Sequence, residues 1–425
     1  MMFAEMDNPK KIMLASFVIF LIGTIIHCIL MNTAVIDEVQ KDYFPVAEAM
    51  FTGHTPYHHY NDLAWEYPPL ALVVMLIPRV FASTPYGYQI SFDVMMMLFA
   101  FFESYLVYRA VREKENAVII SIANLVLMTM MIIDGSVLER FDIVPAVICL
   151  AAVILYLDER YTWAFVLVAI GSLVKIYPAL LFLAFIIPFI VKKDWKNTAR
   201  MTSVTAAVGL AVMAVFYVIC SNELMNFITY HSDRGLQIES VAGSFIDIFA
   251  AVGWTEVSTV ITFGSCNIVG NLPDMMSPIV MPLLVIMILL ACAFQFLACK
   301  KDKADMVFFS MLYVMVFMIF NKVFSGQYIM WIVPMVVLFF ITREWDDSSW
   351  VSFGLITSAT IMTMVIMSLP LYRMETGAML LVFIRNMVFL ALLIYVVKHF
   401  ADENGLFKPV FEKPNETHRI RARRP

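Results

Sequence analysis

Twelve long apolar runs, at about 12–31, 88–108, 117–133, 142–157, 161–174, 176–191, 202–220, 279–298, 305–320, 326–341, 350–369 and 378–397, dominate the chain and decide what it can become. In lipid a backbone satisfies its own polar groups only as a helix or a closed barrel, and runs of this length without period-two alternation are helical. Of the 425 residues 61% are hydrophobic and only 15% charged. A soluble globular chain carries about 25% charged residues, so that class is excluded. The expected fold is therefore an all-α polytopic membrane protein with about twelve transmembrane helices. The six cysteines are scattered and show no CxxC spacing, so neither a disulfide framework nor a metal site is expected.

A thirteenth apolar stretch, 70–82, follows Pro68-Pro69, is short for a span and contains Pro78 and Arg79. Charge bias decides its place. If it does not cross, most of the 29 basic residues, including the clusters at 109–114, 192–200 and 300–303, share one side with both termini. If it does cross, those clusters face outward, against the positive-inside rule. The stretch is therefore read as an interfacial or re-entrant helix, and both termini as cytoplasmic. The first run has no A-x-A cleavage pattern after it and is read as a retained helix. The organisation expected is one membrane domain over 1–400, with a first outer loop at 32–87, a second large outer loop at 221–277 and a basic tail at 401–425. Within the second loop, 241–252 and 257–264 are expected to lie at the interface as short helices.

With this topology the unusual polar groups gather on the outer side. Asp37, Glu38, Asp42 and Glu66 fall in the first loop, Asp134, Glu139, Arg140 and Asp142 after the third span, Lys175-Ile176-Tyr177-Pro178 between the fifth and sixth, His231, Asp233 and Arg234 in the second loop, and Asn321-Lys322 with Gln327-Tyr328 late in the chain. Isolated acids and bases at several helix ends suit one pocket that handles an anion and a proton together. Glycosyl transfer from a lipid phosphate has that requirement: a carboxylate to take the acceptor's proton, and cations to hold the departing phosphate. Plainer readings stand beside these. Lys175 can snorkel to headgroups, and Arg140 can form a local ion pair with Glu139 or Asp142. His54, His58 and His59 lack metal-ligand spacing, and Glu103 and Asn124 fit hydrogen bonding between helices.

Asp42-Tyr43-Phe44-Pro45 through Gly53-His54-Thr55-Pro56-Tyr57, with Glu66-Tyr67-Pro68-Pro69-Leu70, resembles the first outer loop of glycosyltransferase family 87. Those proteins are polyprenyl-phosphate-mannose-dependent mannosyltransferases of the GT-C superfamily. Arg140-Phe141-Asp142-Ile143-Val144-Pro145, Lys175-Ile176-Tyr177-Pro178 and Lys322-Val323-Phe324-Ser325-Gly326-Gln327-Tyr328 with Trp331 also resemble that family and the GPI mannosyltransferase I family. The resemblance spans about 12–341. It implies a GT-C bundle, a lipid-phosphate sugar as donor and a first-loop aspartate as base. The related GPI enzymes carry Asp-x-Asp there, whereas this chain has Gln40-Lys41-Asp42 and, nearer the helix, Asp37-Glu38. Asp37 and Asp42 are both candidates for the catalytic base.

The function expected is an inverting membrane glycosyltransferase that moves mannose to a lipid or glycan acceptor. Glu66, Tyr67, Arg140, Asp142, Lys175, Tyr177, Lys322, Gln327 and Tyr328 would bind substrate. The lipid-phosphate sugar is a co-substrate, no resident cofactor or metal is expected, and membrane lipids rather than nucleic acid are the partners. A twelve-helix transporter or lipid-carrier flippase is the alternative, although no internal symmetry of two halves is evident.

Overall fold

The computed structural model describes residues 7–31, 38–55, 65–341 and 346–406. α1 (Asn8–Met31) leads into a π-helical turn at Val39–Tyr43, α2 (Phe44–Phe51) and α3 (Pro69–Phe81). Then come α4 (Pro85–Val111), α5 (Ala117–Ile133), α6 (Ile143–Leu157), α7 (Tyr161–Val174), α8 (Leu180–Val191) and α9 (Trp195–Cys220). The segment after α9 forms α10 (Asn226–Asp233), β1 (Leu236–Gln237), α11 (Val241–Ala251), β2 (Ser258–Thr262) and β3 (Ser265–Val269). The chain closes with α12 (Asn271–Lys300), α13 (Met306–Phe320), α14 (Ile329–Ile341), α15 (Asp347–Met367) and α16 (Thr376–Glu403).

Each of the twelve apolar runs forms a helix. α1, α4, α9, α12, α15 and α16 are long and apolar enough to cross a membrane by themselves. α5 to α8, α13 and α14 are shorter apolar helices packed among them. α13 is apolar all round and nearly every side chain in it is buried, as befits the centre of a bundle. α9 and α12 instead leave Leu210, Val215, Val218, Val285 and Leu289 exposed, the face that lipid covers. Between helices, Asn124 Nδ2 donates to the buried Glu103 carboxylate at 2.9 Å, the cross-helix bond expected of that pair.

α3 keeps both ends at one end of the bundle. Tyr67, just before it, packs edge-to-face on Phe141 with ring centroids 4.8 Å apart, and Arg79, near its close, pairs with Glu48 of α2. Pro69 opens the helix where its missing N–H costs nothing. The clusters Lys192-Lys193, Lys196, Arg200 and Lys300-Lys301 are exposed at the opposite end, where Arg109 of α4 meets Asp158 after α6 at 4.0 Å.

One expected helix is a strand. 241–252 does form α11, but 257–264 contains β2, which pairs with β3 in a three-stranded antiparallel sheet ordered β1-β3-β2. Thr259-Val260-Ile261-Thr262 is rich in β-branched residues. Phe263 and Gly264 both take positive φ, 53° and 61°, which is the two-residue turn that matches the twist of a hairpin. Hydropathy alone does not separate such a run from a helix. The tail from 407 onward lies outside the described residues.

Candidate functional site

Helix breaks put the polar residues in one place. α7 ends at Lys175, whose backbone is extended (φ −152°, ψ 148°), and a short 3-10 turn at Tyr177–Ala179 restarts the chain as α8. The same device recurs at Asn321, extended after α13, and at the Gly326–Tyr328 turn before α14. Gly326 lets this turn pack closely on α15, and any side chain there would make Met367 or Thr363 shift. A Cβ would stand 2.7 Å from Met367 Sδ and 3.1 Å from a Thr363 methyl.

These breaks, the first loop and the β1 segment enclose a cavity of about 360 Å³. Glu66, Tyr67, Arg140, Lys175, Tyr177, Lys322, Gln327 and Tyr328, all expected in the site, line it. Asp142 stands one layer behind. Its Oδ1 accepts from Lys175 Nζ at 2.6 Å and from Trp331 Nε1 at 2.6 Å, and only 1% of the residue is exposed. Lys175 does not snorkel: it is buried, and its ammonium lies 5.0–5.6 Å from the rings of Tyr67, Phe141, Tyr328 and Trp331. Tyr177, Trp331 and Tyr328 stack in that order, at centroid distances of 4.2 and 3.7 Å, to make one wall.

The local ion pair expected of Arg140 is not formed with a neighbour in sequence. Arg140 pairs with Glu38 of the first loop, while Glu139 faces His27 at 3.3 Å and Asp142 takes Lys175. Chain folding brings the cation to a carboxylate about a hundred residues away because both ends of the pair are taken out of water together. Glu38 lines the cavity, and burial pushes its carboxyl up to about 7 against the opposing pull of Arg140. Asp42 sits on the π-helical turn, is exposed, and is not among the lining residues; burial of its carboxyl still raises it somewhat, again opposed by Arg140. Asp37 lies outside the described residues, as do His58 and His59.

Arg234, one of the outer-side charges that the sequence groups in one pocket, lines the cavity, as does Glu239, which had no such reading. Arg234 meets Glu66 at 3.6 Å and donates through Nε to Ser265 Oγ at 3.3 Å. Glu239, which follows β1, lines the cavity opposite, its carboxyl raised by burial and held down by Arg385 of α16. The signal for Arg385 was present: it is the single charged residue in the run 378–397. No local pattern marks Glu239.

Four cations line the cavity: Arg140, Lys175, Arg234 and Lys322. The first three are each matched by a carboxylate. Among the described residues Lys322 has no carboxylate partner, so it is the cation left for an incoming anion. The arrangement therefore offers a chamber of paired charges with, among the described residues, one cation that lacks a carboxylate partner and a carboxylate of raised affinity for protons.

Among known proteins, the family model described as glycosyltransferase family 87 matches residues 65–320 of the chain. The crystal structure of ArnT from Cupriavidus metallidurans bound to undecaprenyl phosphate is similar with a TM-score of 0.50 at 13% identity, covering 92% of this chain and 77% of that one. At that identity the likeness is one of fold. No curated protein matches the sequence.

Proposed function

The chain belongs to glycosyltransferase family 87, and from that membership we propose that it transfers mannose from a polyprenyl- or dolichyl-phosphate donor to a hydroxyl of a lipid or glycan acceptor. It is a membrane glycosyltransferase rather than a transporter. The proposed side of transfer is the outer face, with both termini in the cytoplasm. The similar ArnT structure, which holds undecaprenyl phosphate, supports a lipid phosphate as the carrier.

The observation that carries the reading is Lys322, which among the described residues is the cation without a carboxylate partner in a cavity whose other charges are paired. In the proposed step a first-loop carboxylate takes the acceptor's proton. Asp37 and Asp42 are candidates, and Glu38 joins them because it lines the cavity. The acceptor oxygen attacks the anomeric carbon from the face opposite the phosphate. The carbon–oxygen bond to phosphate breaks, and its electron pair leaves on the phosphate with inversion of the anomeric centre. Lys322 meets that phosphate first. Arg140 and Lys175 add positive potential, screened by Glu38 and Asp142, and Glu66, Tyr67, Tyr177, Gln327 and Tyr328 shape the chamber around the sugar.

Purified protein incubated with radiolabelled polyprenyl-phosphate-mannose and a membrane lipid extract should move label to a new lipid or glycan product. Failure to move label from this donor, alongside transfer from another lipid-phosphate sugar, would discard mannose. Transfer from a sugar nucleotide alone would discard the carrier.

A further inference from the structure

A third carboxylate lining the cavity, beside Glu38 and Glu66, is held in a way the reaction above does not use. Glu239 lines the cavity, and its partner, Arg385, comes from the middle of a membrane helix and is completely buried. The guanidinium makes four hydrogen bonds. Nη1 donates to Glu239 Oε2 at 3.3 Å, Nη2 to the Glu239 carbonyl at 2.8 Å, and Nε and Nη2 to Asn386 Oδ1 at 3.2 and 2.9 Å. The ring of Phe324 lies 4.6 Å from its central carbon. Asn386 Nδ2 in turn donates to the carbonyls of Glu239 and Ser240 and to Ser244 Oγ, at 3.1, 3.2 and 2.9 Å.

The other side of the same short segment is tied to the phosphate end of the cavity. Gln237 N donates to the Lys322 carbonyl at 3.0 Å, its Oε1 accepts from Phe324 N at 2.8 Å, and its Nε2 donates to Ser325 Oγ at 2.9 Å. The segment from Leu236 to Ser240 is thus a crossbar between α16 and the Lys322 loop. An ionised arginine deep in a membrane protein is costly, and such residues face cavities or partners they serve. Here one carboxylate oxygen is engaged by Arg385, and no described group donates to Oε1.

We propose that Glu239 is a sugar-binding residue that accepts hydrogen bonds from hydroxyls of the donor's sugar, and that Arg385 is the positioning residue that aims it. This rests on the lipid-phosphate-sugar reading of the cavity. The donor's sugar, rather than the acceptor, is assigned because it is bonded directly to the phosphate, and the crossbar ties Glu239 to the backbone of Lys322, the cation proposed for that phosphate. A carboxylate that accepts from two neighbouring hydroxyls discriminates against a sugar lacking one of them, since an unpaired buried carboxylate oxygen is penalised.

The test compares two ligands on the full-length protein in lipid nanodiscs: polyprenyl-phosphate-mannose and sugar-free polyprenyl phosphate. Glu239→Gln should raise Kd for the mannose-bearing lipid about ten- to hundredfold, the loss of one to two charge-assisted hydrogen bonds, with Kd for the sugar-free lipid unchanged. Arg385→Met should reproduce that selective loss, and Arg385→Lys should recover part of it. Glu239→Ala keeps the question open to measurement if an Arg385 variant does not fold. Equal weakening of both lipids by Glu239→Gln would make the residue structural and overturn the proposal, as would an unchanged Kd for the mannose-bearing lipid. If the unaltered protein binds sugar-free polyprenyl phosphate but gains nothing from the sugar, the proposal fails while the carrier reading stands. If it binds neither lipid, both fail.

Discussion

At the cavity end each of four carboxylates meets a cation from a distant part of the chain: Glu38 with Arg140, Glu66 with Arg234, Asp142 with Lys175 and Glu239 with Arg385. At the opposite end Arg109 and Asp158 stand 4.0 Å apart with about half of each side chain in solvent, and Arg112 pairs with its own neighbour Glu113. The first set is enforced by folding, because removing either partner strands a buried charge. The second is screened by water and is worth little. The two ends differ in where their charges are placed, and only the first placement can hold a chemistry in register.

The comparison is broken most directly by removing the proposed base. Glu38→Gln, Asp42→Asn and Asp37→Asn, made one at a time, should include one variant whose turnover falls about a hundred- to ten-thousandfold with binding of polyprenyl phosphate kept. Single-turnover transfer and a separate binding assay read the two quantities. Three variants with wild-type turnover would remove the first loop from the chemistry.

Next in size is the buried pair. Asp142→Asn leaves Lys175 uncompensated among aromatic rings and should destabilise the protein by about 3–5 kcal/mol, whereas Asp142→Asn combined with Lys175→Met should recover much of the loss. Thermal unfolding in detergent measures both. A double variant no better than the single one would mean that the pair contributes shape rather than charge balance.

Smaller still is the effect of acidity through Glu38, whose carboxyl burial raises to about 7. A base works unprotonated, so transfer should fall about tenfold per pH unit below 7 if Glu38 is that base, and Glu38→Gln should flatten the profile. Stability runs the other way. The folded state holds this proton more tightly than the unfolded one, so the group's contribution is full below the ordinary carboxylate range near 4 and is lost as pH rises to about 7. A pH–rate profile and a pH series of unfolding temperatures should therefore slope in opposite directions.

The smallest effect belongs to the other end. Asp158→Asn should change stability by less than about 0.5 kcal/mol and leave transfer unaltered. A loss of several kcal/mol there would show that the two ends are not distinguished by burial after all.

Much of this was legible because lipid writes its demands into composition. The apolar runs gave the helices, and the basic clusters put α3 on one side. The helix breaks at Lys175-Ile176-Tyr177-Pro178 and after Asn321 announced themselves as polar residues wedged between apolar runs, and both line the cavity. What was hidden is pairing across the sequence. Arg140 has acids on either side in the chain, Glu139 and Asp142, and pairs with neither, since each finds a better-placed cation or imidazole. Glu239 sits in Gln237-Ile238-Glu239-Ser240, a stretch with no motif, and acquires meaning only when α16 brings Arg385 beneath it. The hairpin was missed because a short run of Thr, Val and Ile is equally apolar in either conformation.

The unequal lengths of the helices set where the substrate must come from. α4 and α6 finish level, Arg109 beside Asp158, and as many residues separate Phe92 from Arg109 as separate Phe141 from Asp158. Tyr43 accordingly touches both rings, with centroids 5.6 Å from Phe92 and 5.9 Å from Phe141. α4 then continues two turns further, about 10 Å at 1.5 Å per residue. Its 27 residues, about 40 Å, match a whole bilayer with headgroups, so the ring of Phe141 and the ammonium of Lys175 lie at the depth of the headgroups or below. A molecule already embedded in that layer searches for the chamber in two dimensions, at a local concentration fixed by the membrane and not by the volume of the surrounding water.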